Sequence, residues 1–420
     1  MEFKEGESEI KGWIHAKRSS GGIIFLILRE RGYVQVVVRK DKVKNFEEIE
    51  KLPLESVIKI KGKMKKDDRS PFGWEVEAEE IEILSKAKPD FPFMRKHKFN
   101  VDHIFKYRHL WLRSQKMFLI LKIRSEVLNF IRKWFIENGY WEFQAPIFTA
   151  SACEGGATLF EVNYFGKKVY LTQSWQLYAE AAIASLGKIF TIAPSFRAEK
   201  SRTRRHLTEY WHVEAEIPFC ELDCLMKEEE NFISFVCQEI ARNCKEELKF
   251  FNRDPKDLMK VEPPFPRITY TEAIEILQQK GVNVEWGEDL GADEERILTQ
   301  EFDIPFFVTH YPKQAKAFYH KVDRSNPKVT LSVDMLAPEG YGEIIGSGVR
   351  EDDYEILLQR IKEEGLDSKN YEWYLDLRKY GSIPHAGFGL GLERLLMWIC
   401  KLKHIREAIA FPRTINRIYP

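Results

Sequence analysis

Arg197 and Glu199 stand two residues apart at the head of a chemically dense stretch, Phe196 to Glu216. A basic, turn-prone run follows them, Lys200-Ser201-Arg202-Thr203-Arg204-Arg205-His206. The stretch closes on Tyr210-Trp211-His212-Val213-Glu214-Ala215-Glu216. Alternation with period two predicts two antiparallel strands around a basic loop. Strand geometry then puts Arg197 and Glu199 on one side, and Tyr210, His212, Glu214 and Glu216 together on one side. A face of cation, aromatic ring and carboxylates is not a core face unless it binds something charged. The bland reading is a solvated hairpin of mixed charge.

A second run shifts that balance. Gly387-Phe388-Gly389-Leu390-Gly391-Leu392-Glu393-Arg394 reads as a Gly-rich strand entering an apolar helix over Leu392 to Leu402. Arg394 falls in the first helical turn, where backbone N–H groups and the helix dipole favour anions. A dinucleotide-binding glycine loop is excluded by context, with no βαβ unit and no acid about 20 positions on. A third run, Gly342-Glu343-Ile344-Ile345-Gly346-Ser347-Gly348-Val349-Arg350, places an acid and an arginine on another Gly-rich strand. Glu154 sits in a loop beside Gly155 and Gly156, and Ser174 and Gln176 lie where a strand opens into an apolar helix.

Phe196 to Glu199 with its basic loop and closing acidic strand resembles motif 2 of class II aminoacyl-tRNA synthetases. Gly387 to Arg394 resembles motif 3. The two lie in order and far apart, which makes the combination specific. The runs Arg205 to Glu216, Gly342 to Asp352 and His404 to Arg413 are similar to the aspartyl/asparaginyl branch of that class, and within it to the archaeal asparaginyl type. The resemblance covers essentially the whole chain.

The resemblance implies ATP and Mg²⁺ as small-molecule partners. Arg197 would meet the α-phosphate and Arg394 the γ-phosphate, making these two the catalytic pair, with Arg205 and His206 on the phosphates from the loop. Tyr210 would stack on adenine. Glu343, with Glu199, would hold Mg²⁺. Glu154, Ser174, Gln176, Glu214 and Arg350 would bind the amino acid. Gly346 stands where aspartyl relatives often carry a serine, so the metal shell is expected to differ. The expected reaction activates L-asparagine with ATP, then transfers it to the 3′-OH of tRNA(Asn).

Asparagine is favoured over aspartate by two positions. Aspartyl relatives have a lysine at the position of Ala179, and usually Asp at that of Glu214. A missing cation and a longer acid both disfavour a carboxylate substrate, and like charges in a partly desolvated pocket cost several kcal/mol against about 1.4 kcal/mol per tenfold discrimination. The alternatives are an aspartyl-tRNA synthetase, including one that charges both tRNAs, and a paralogue that makes asparagine from the aspartyl-adenylate. Such paralogues usually lack the anticodon domain.

The elements that must position these groups follow from pattern. The 420 residues predict two or three domains. Residues 9 to 84 read as five short strands with one helix around Asp41 to Lys51, the requirement of an OB barrel. Phe25, Arg29 and Gln35 fall on its second and third strands. Pattern alone makes Phe25 core; the resemblance makes all three anticodon contacts. Residues 85 to 114, with Pro89, Pro92 and a basic cluster from Arg95 to Arg108, read as irregular and as a candidate RNA-backbone contact. The expected division is an OB-fold anticodon-binding domain over 1–88, a hinge over 89–114 and a catalytic domain over 115–420, an antiparallel sheet flanked by helices, of α+β class.

Within the last part, Ser114 to Asn138 has helical spacing with Gly139 as its stop, and Tyr140 to Pro146 reads as a strand. Helix, strand and proline resemble motif 1, which implies a C₂ homodimer. Residues 217 to 300 read as amphipathic helix without chemistry. Basic and acidic residues balance at 65 each, so any RNA site must be a local patch. No apolar run approaches 18 residues, which predicts no membrane span and a cytoplasmic protein. The six cysteines are scattered and are expected as reduced thiols, with Cys220 and Cys224 lacking partners for a zinc site.

Overall fold

The computed structural model describes residues 4–30, 32–93, 98–154, 158–201, 203–288 and 290–420. Arg31 of the predicted turn, Arg95, Lys96 and His97 of the basic cluster, Gly155 and Gly156 beside Glu154, and Arg202 of the basic loop lie outside them. The chain divides after Ile104 into two compact units.

In the first unit, β1 (Gly6–Ser20), β2 (Ile23–Arg29), β3 (Tyr33–Arg39), α1 (Phe46–Lys51), β4 (Val57–Lys66) and β5 (Trp74–Ser85) close into a barrel of order β1-β2-β3-β5-β4. Period-two burial on β2 turns Ile24, Leu26 and Leu28 inward and Phe25, Ile27 and Arg29 outward. Phe25 is therefore not a core residue. Gln35 stands opposite Ile27 across the β2–β3 pair, so it shares the outward face with Phe25 and Arg29. The predicted barrel is the observed one.

The predicted irregular stretch contains two short helices, α2 (Val101–Lys106) and α3 (Arg108–Trp111). Arg108 is buried, and its guanidinium donates to the carbonyls of Arg406, Ile409 and Ala410. Burial brings its pKa down to about 10. Arg108 is thus a structural clamp and no part of an RNA-facing cluster.

The second unit continues with α4 (Gln115–Glu137), β6 (Trp141–Glu142), β7 (Phe148–Thr149), β8 (Glu161–Tyr164), β9 (Lys167–Leu171), α5 (Gln176–Leu186), β10 (Ile189–Phe196) and β11 (Glu209–Pro218). Next come α6 (Leu222–Asn243), α7 (Lys245–Phe250), α8 (Pro255–Met259), β12 (Arg267–Thr269), α9 (Tyr270–Gln279), α10 (Ala292–Leu298), β13 (Phe306–Thr309) and β14 (Ser332–Ala337). The chain ends through β15 (Gly342–Val349), α11 (Tyr354–Glu363), α12 (Glu372–Lys379), β16 (His385–Gly391) and α13 (Leu392–Ile399).

Eight strands form one sheet in the order β12-β13-β14-β15-β16-β11-β10-β6, antiparallel except at its two edges. The predicted strand over Tyr140 to Pro146 survives only as β6, paired with β10. The helix after Gly391 stops at Ile399 rather than Leu402. One face of the sheet packs on α4, α6 and α13, with Phe135, Phe190, Val213, Phe232, Phe388 and Leu395 in a single apolar cluster. Each such side chain contributes about 1.5–3 kcal/mol by leaving water. Ser114 caps α4 by accepting from Met117 N, and Asn138 ends it before Gly139.

Cys220 and Cys224 are joined by a disulfide, contrary to the expected reduced pair, while Cys153, Cys237, Cys244 and Cys400 are free and buried. Cys220 lies two residues ahead of α6 and Cys224 in its first turn, with their Cα atoms 5.4 Å apart, within the span of a disulfide.

Candidate active site

The open face of the sheet carries the chemistry. On β11, Val213, Ala215 and Ile217 enter the apolar cluster, while His212, Glu214 and Glu216 point the other way. They stand beside β16 with Glu214 opposite Gly389 and Glu216 opposite Gly387. The glycines are required for room: a Cβ at Gly387 would overlap the Glu216 carboxylate, and one at Gly389 the His212 ring. The result is a cavity of about 280 Å³. All twelve residues expected at an ATP or amino-acid site line it.

One end of the cavity is cationic. Strand β10 stops at Phe196, so Arg197 and Glu199 lie just past the strand rather than on it. Arg197 Nη1 is 3.8 Å from Glu199 Oε1, and its guanidinium lies 6.0 Å from the Tyr210 ring centroid. Arg394, in the first turn of α13, sets Nη1 2.9 Å from Glu343 Oε2. Arg205 donates to the Glu343 carbonyl at 3.1 Å and to Glu295 at 2.7 Å. Burial alone would raise the Glu343 pKa, but Arg394 and then Arg205 bring it down to about 2. His206 faces the hydroxyls of Ser201 and Thr203 through Nδ1 and Glu199 at 3.7 Å through Nε2.

Burial makes His212 a neutral imidazole, with its pKa lowered to about 3 and Arg197 pushing the same way. Lys316 pairs with Asp334 at 2.7 and 2.8 Å. A Cβ at Gly346 would lie 3.4 Å from Glu343 Oε1 and 3.7 Å from Asp334 Oδ1, so the bare backbone leaves a cradle between two carboxylates. An all-oxygen donor set of this kind suits a hard divalent cation such as Mg²⁺.

The other end is a network of carboxylates and their donors. Arg350, at the end of β15, is buried and engages both oxygens of Glu216, with Nε and Nη2 at 2.9 and 3.0 Å. Glu214 accepts from Ser174 Oγ and from Trp175 N, the latter at 3.1 Å. Burial pushes its pKa up to about 7. Tyr319 donates to Glu154, whose other oxygen lies 3.8 Å from Arg197. Gln176 opens α5 with its amide at the cavity wall. Ala179, one turn on, does not line the cavity; it packs with Trp175, Ile183 and Ile189.

Several lining residues escaped the sequence reading. Glu295 comes from α10, in the stretch read as having no chemistry, and accepts from Arg205 and from Glu343 N. Asp334 sits on β14 opposite Gly346, a position that only sheet register reveals. Lys316 and Tyr319 line the cavity from the stretch between β13 and β14. Glu216 was visible all along in the alternation of β11.

Phe25, Arg29 and Gln35 belong to the other unit. Arg18 lies 5.1 Å over the Phe25 ring. Arg29 is held by both oxygens of Glu55 at 2.6 and 2.8 Å, and Gln35 Nε2 donates to Glu75 at 2.7 Å. Each of these two polar side chains is thus anchored on one side by an acid.

An OB barrel together with an antiparallel sheet bearing this cavity defines a synthetase of the second class. Family models match accordingly, tRNA synthetases class II (D, K and N) over residues 100–415 and an OB-fold nucleic acid binding domain over 9–84. The chain belongs to the class II tRNA synthetases of that D, K and N family.

Within it, the chain is 51% identical to the asparagine–tRNA ligase of Pyrococcus furiosus, covering 100% of this chain and 97% of that one. It is 49% identical to the asparagine–tRNA ligase of Thermoplasma acidophilum, over 98% and 96% of the two chains. The crystal structure of asparaginyl-tRNA synthetase from Pyrococcus horikoshii complexed with asparaginyl-adenylate superposes with a TM-score of 0.96 at 51% identity, covering 99% of this chain and 96% of that one.

Proposed function

We propose that this chain is an asparagine–tRNA ligase: it activates L-asparagine with ATP and transfers it to tRNA(Asn). The observation that carries this reading is one cavity in which the Arg350–Glu216–Glu214 end and the Arg197–Arg394–Glu343 end face the same space. Relatives near 50% identity over the full length carry that activity in their names, and one was solved with asparaginyl-adenylate. This favours asparagine over the aspartyl and asparagine-making alternatives.

In the first step an oxygen of the asparagine α-carboxylate attacks the α-phosphorus of ATP, and the bond to the bridging oxygen of pyrophosphate breaks. Two anions must meet, so the site has to place positive charge at that phosphorus. Arg197 stands at the α-phosphate and Arg394 at the γ-phosphate, with Arg205 and His206 beside the outer phosphates and Tyr210 against adenine. Glu343, with Glu199 and the Asp334 side of the Gly346 cradle, would hold Mg²⁺, which spreads the phosphate charge and favours pyrophosphate departure. The nucleophile is already ionised, so no general base is needed. Glu154, Ser174 and Gln176 hold the ammonium end of the amino acid.

Arg350 donates to the side-chain amide oxygen, and Glu214 accepts from the amide N–H₂. In the second step the 3′-OH of the terminal adenosine attacks the acyl carbon and gives up its proton, and the acyl–phosphate bond breaks with its electron pair leaving on AMP.

Phe25, Arg29 and Gln35 are the anticodon contacts, with the outward-facing ring offered for stacking beside Arg18 and the polar pair already oriented by Glu55 and Glu75. Exposed Ile136, Trp141 and Phe148 around β6 support a homodimer across that edge. Among the described residues no helix is long and apolar enough to cross a membrane.

The test is ATP–pyrophosphate exchange with asparagine and aspartate side by side, followed by charging of tRNA. Exchange with asparagine alone is the expected result; exchange with aspartate alone would overturn the assignment.

A further inference from the structure

Behind the cavity wall lies a buried carboxylate that the reaction above does not use. Glu180, on α5 one turn after Gln176, is fully buried and does not line the cavity. It accepts from Gln176 Nε2 at 2.9 Å, from Tyr374 Oη at 2.7 and 2.8 Å and from Arg378 Nη2 at 2.5 Å, with His385 Nε2 at 2.9 Å. Glu180, Glu216 and His385 bring ligand atoms within 4.8 Å of one another, but Arg378 and Arg350 already occupy that cluster as its cations. A metal ion there would meet two guanidinium groups.

We propose that Glu180 is a positioning residue for amino-acid recognition: it orients the Gln176 amide so that the NH₂ turns away from the cavity and the carbonyl oxygen turns into it, as an acceptor for an N–H of the bound amino acid. This rests on the reading of the cavity as an asparagine site.

Hydrogen-bond type decides which way this amide faces. An amide has two ends of similar shape and opposite character, and its neighbours decide which way it faces. An ionised carboxylate only accepts, so it can face only the NH₂ end. Burial works against ionisation of Glu180, but Arg378 and then His385 hold its carboxyl well below the usual carboxylate range. The i, i+4 spacing on α5 brings the two side chains onto one face of the helix. Gln176 Oε1 accepts no hydrogen bond among the described residues, which leaves it for the ligand. An N–H of asparagine finds an acceptor there. If the amide were reversed, N–H would meet N–H.

The substitution E180Q separates orientation from simple bulk. The new amide has one oxygen where there were two, and the permanent charge of Arg378 claims it. Its NH₂ then faces Gln176, which must turn its oxygen inward and its own NH₂ into the cavity. In ATP–pyrophosphate exchange, KM for asparagine is expected to rise about tenfold or more, with KM for ATP unchanged, because a donor replaces an acceptor against the substrate. In a Q176L background no amide is left to turn, so adding E180Q is expected to change KM for asparagine no further.

The double variant E180L/R378M keeps the test informative if E180Q does not fold. It removes both charges of the buried pair together and leaves neither unpaired. It also removes the acceptor for Gln176, so KM for asparagine rises, and again not beyond that of Q176L alone. An equal rise in the presence and absence of Gln176, or a parallel rise in KM for ATP, would show Glu180 to be a packing residue only. Unchanged KM for asparagine in a folded variant has the same meaning. No amino-acid-dependent exchange by the unsubstituted protein would instead remove the functional reading, and the inference with it.

Discussion

Arg350 grips Glu216 along one edge of its guanidinium, with Nε and Nη2 each set on a separate carboxylate oxygen at 2.9 and 3.0 Å. That edge is then unavailable to a ligand, and the group presents its remaining Nη1 end to the cavity from a fixed direction. A lysine cannot reproduce a two-point grip. R350K is expected to raise KM for asparagine about 100-fold in pyrophosphate exchange, with KM for ATP little changed. E216A leaves a buried guanidinium unpaired and is expected to lower stability by about 3–5 kcal/mol, read by urea unfolding.

Glu214 gives the site a pH dependence. Its pKa is pushed up to about 7, chiefly by burial. Below that value it is protonated, accepts poorly from an amide N–H₂ and no longer repels an aspartate carboxylate. Above it, the ionised group does both. The ratio of asparagine- to aspartate-dependent exchange should therefore climb as pH rises from 6 to 8, about tenfold per 1.4 kcal/mol of discrimination gained. E214Q should flatten that profile, and a profile unchanged by E214Q would remove Glu214 from amino-acid selection.

Glu229 on α6 is fully buried, and neither carboxylate oxygen has a hydrogen-bond partner among the described residues. The nearby Ser347 hydroxyl donates instead to the Val333 carbonyl. Burial pushes the Glu229 pKa up to about 8. The folded protein then holds a proton that the unfolded chain releases near its ordinary value, so the unfolded state binds fewer protons between the two. Stability from this group falls as pH rises from about 4.5 to 8. E229Q keeps shape and neutrality at all pH values. It is expected to be more stable than the unsubstituted protein at pH 8 by on the order of 4 kcal/mol, and indistinguishable near pH 4.5, in unfolding measured at both.

At the cationic end, R197A is expected to lower kcat for activation about 10²–10³-fold, the usual effect of losing one oriented group at developing charge. EDTA should abolish exchange and added Mg²⁺ restore it. E343Q should demand more Mg²⁺ for half-maximal rate, and an unchanged requirement would place the metal elsewhere.

On the barrel, F25A removes a stacking surface without touching the Arg29–Glu55 or Gln35–Glu75 pairs. KM for tRNA in aminoacylation should rise about 10-fold, in line with 1–3 kcal/mol per stacked base.

Much of this architecture could be read before folding, because it rests on local period. Alternation marked Glu214 and Glu216 as sharing a face, and the same rule found all five barrel strands. Alternation overreached at Arg197 and Glu199, because β10 ends at Phe196. What escaped was set by register and by distance along the chain. Asp334 meets Glu343 only because β14 and β15 pair as they do, and Glu295 reaches Arg205 from 90 residues away. Ala179 also sits where only the fold could put it. Its methyl lies in an apolar cluster outside the cavity, so the position says what is missing without saying what stands in its place. Glu180, next along the helix, is the charged residue that the fold buries behind the same wall.

The floor of the pocket is peptide backbone. Gly346 and Gly389 lie side by side across β15 and β16, as do Gly348 and Gly387, and the acids of β11 flank them. At Gly387 and Gly389 this floor cannot be resculpted by substitution, since a side chain at either would overlap Glu216 or His212. Laboratory redesign toward a different amino acid must therefore work from the walls, on β11 and α5, where side chains exist to be exchanged.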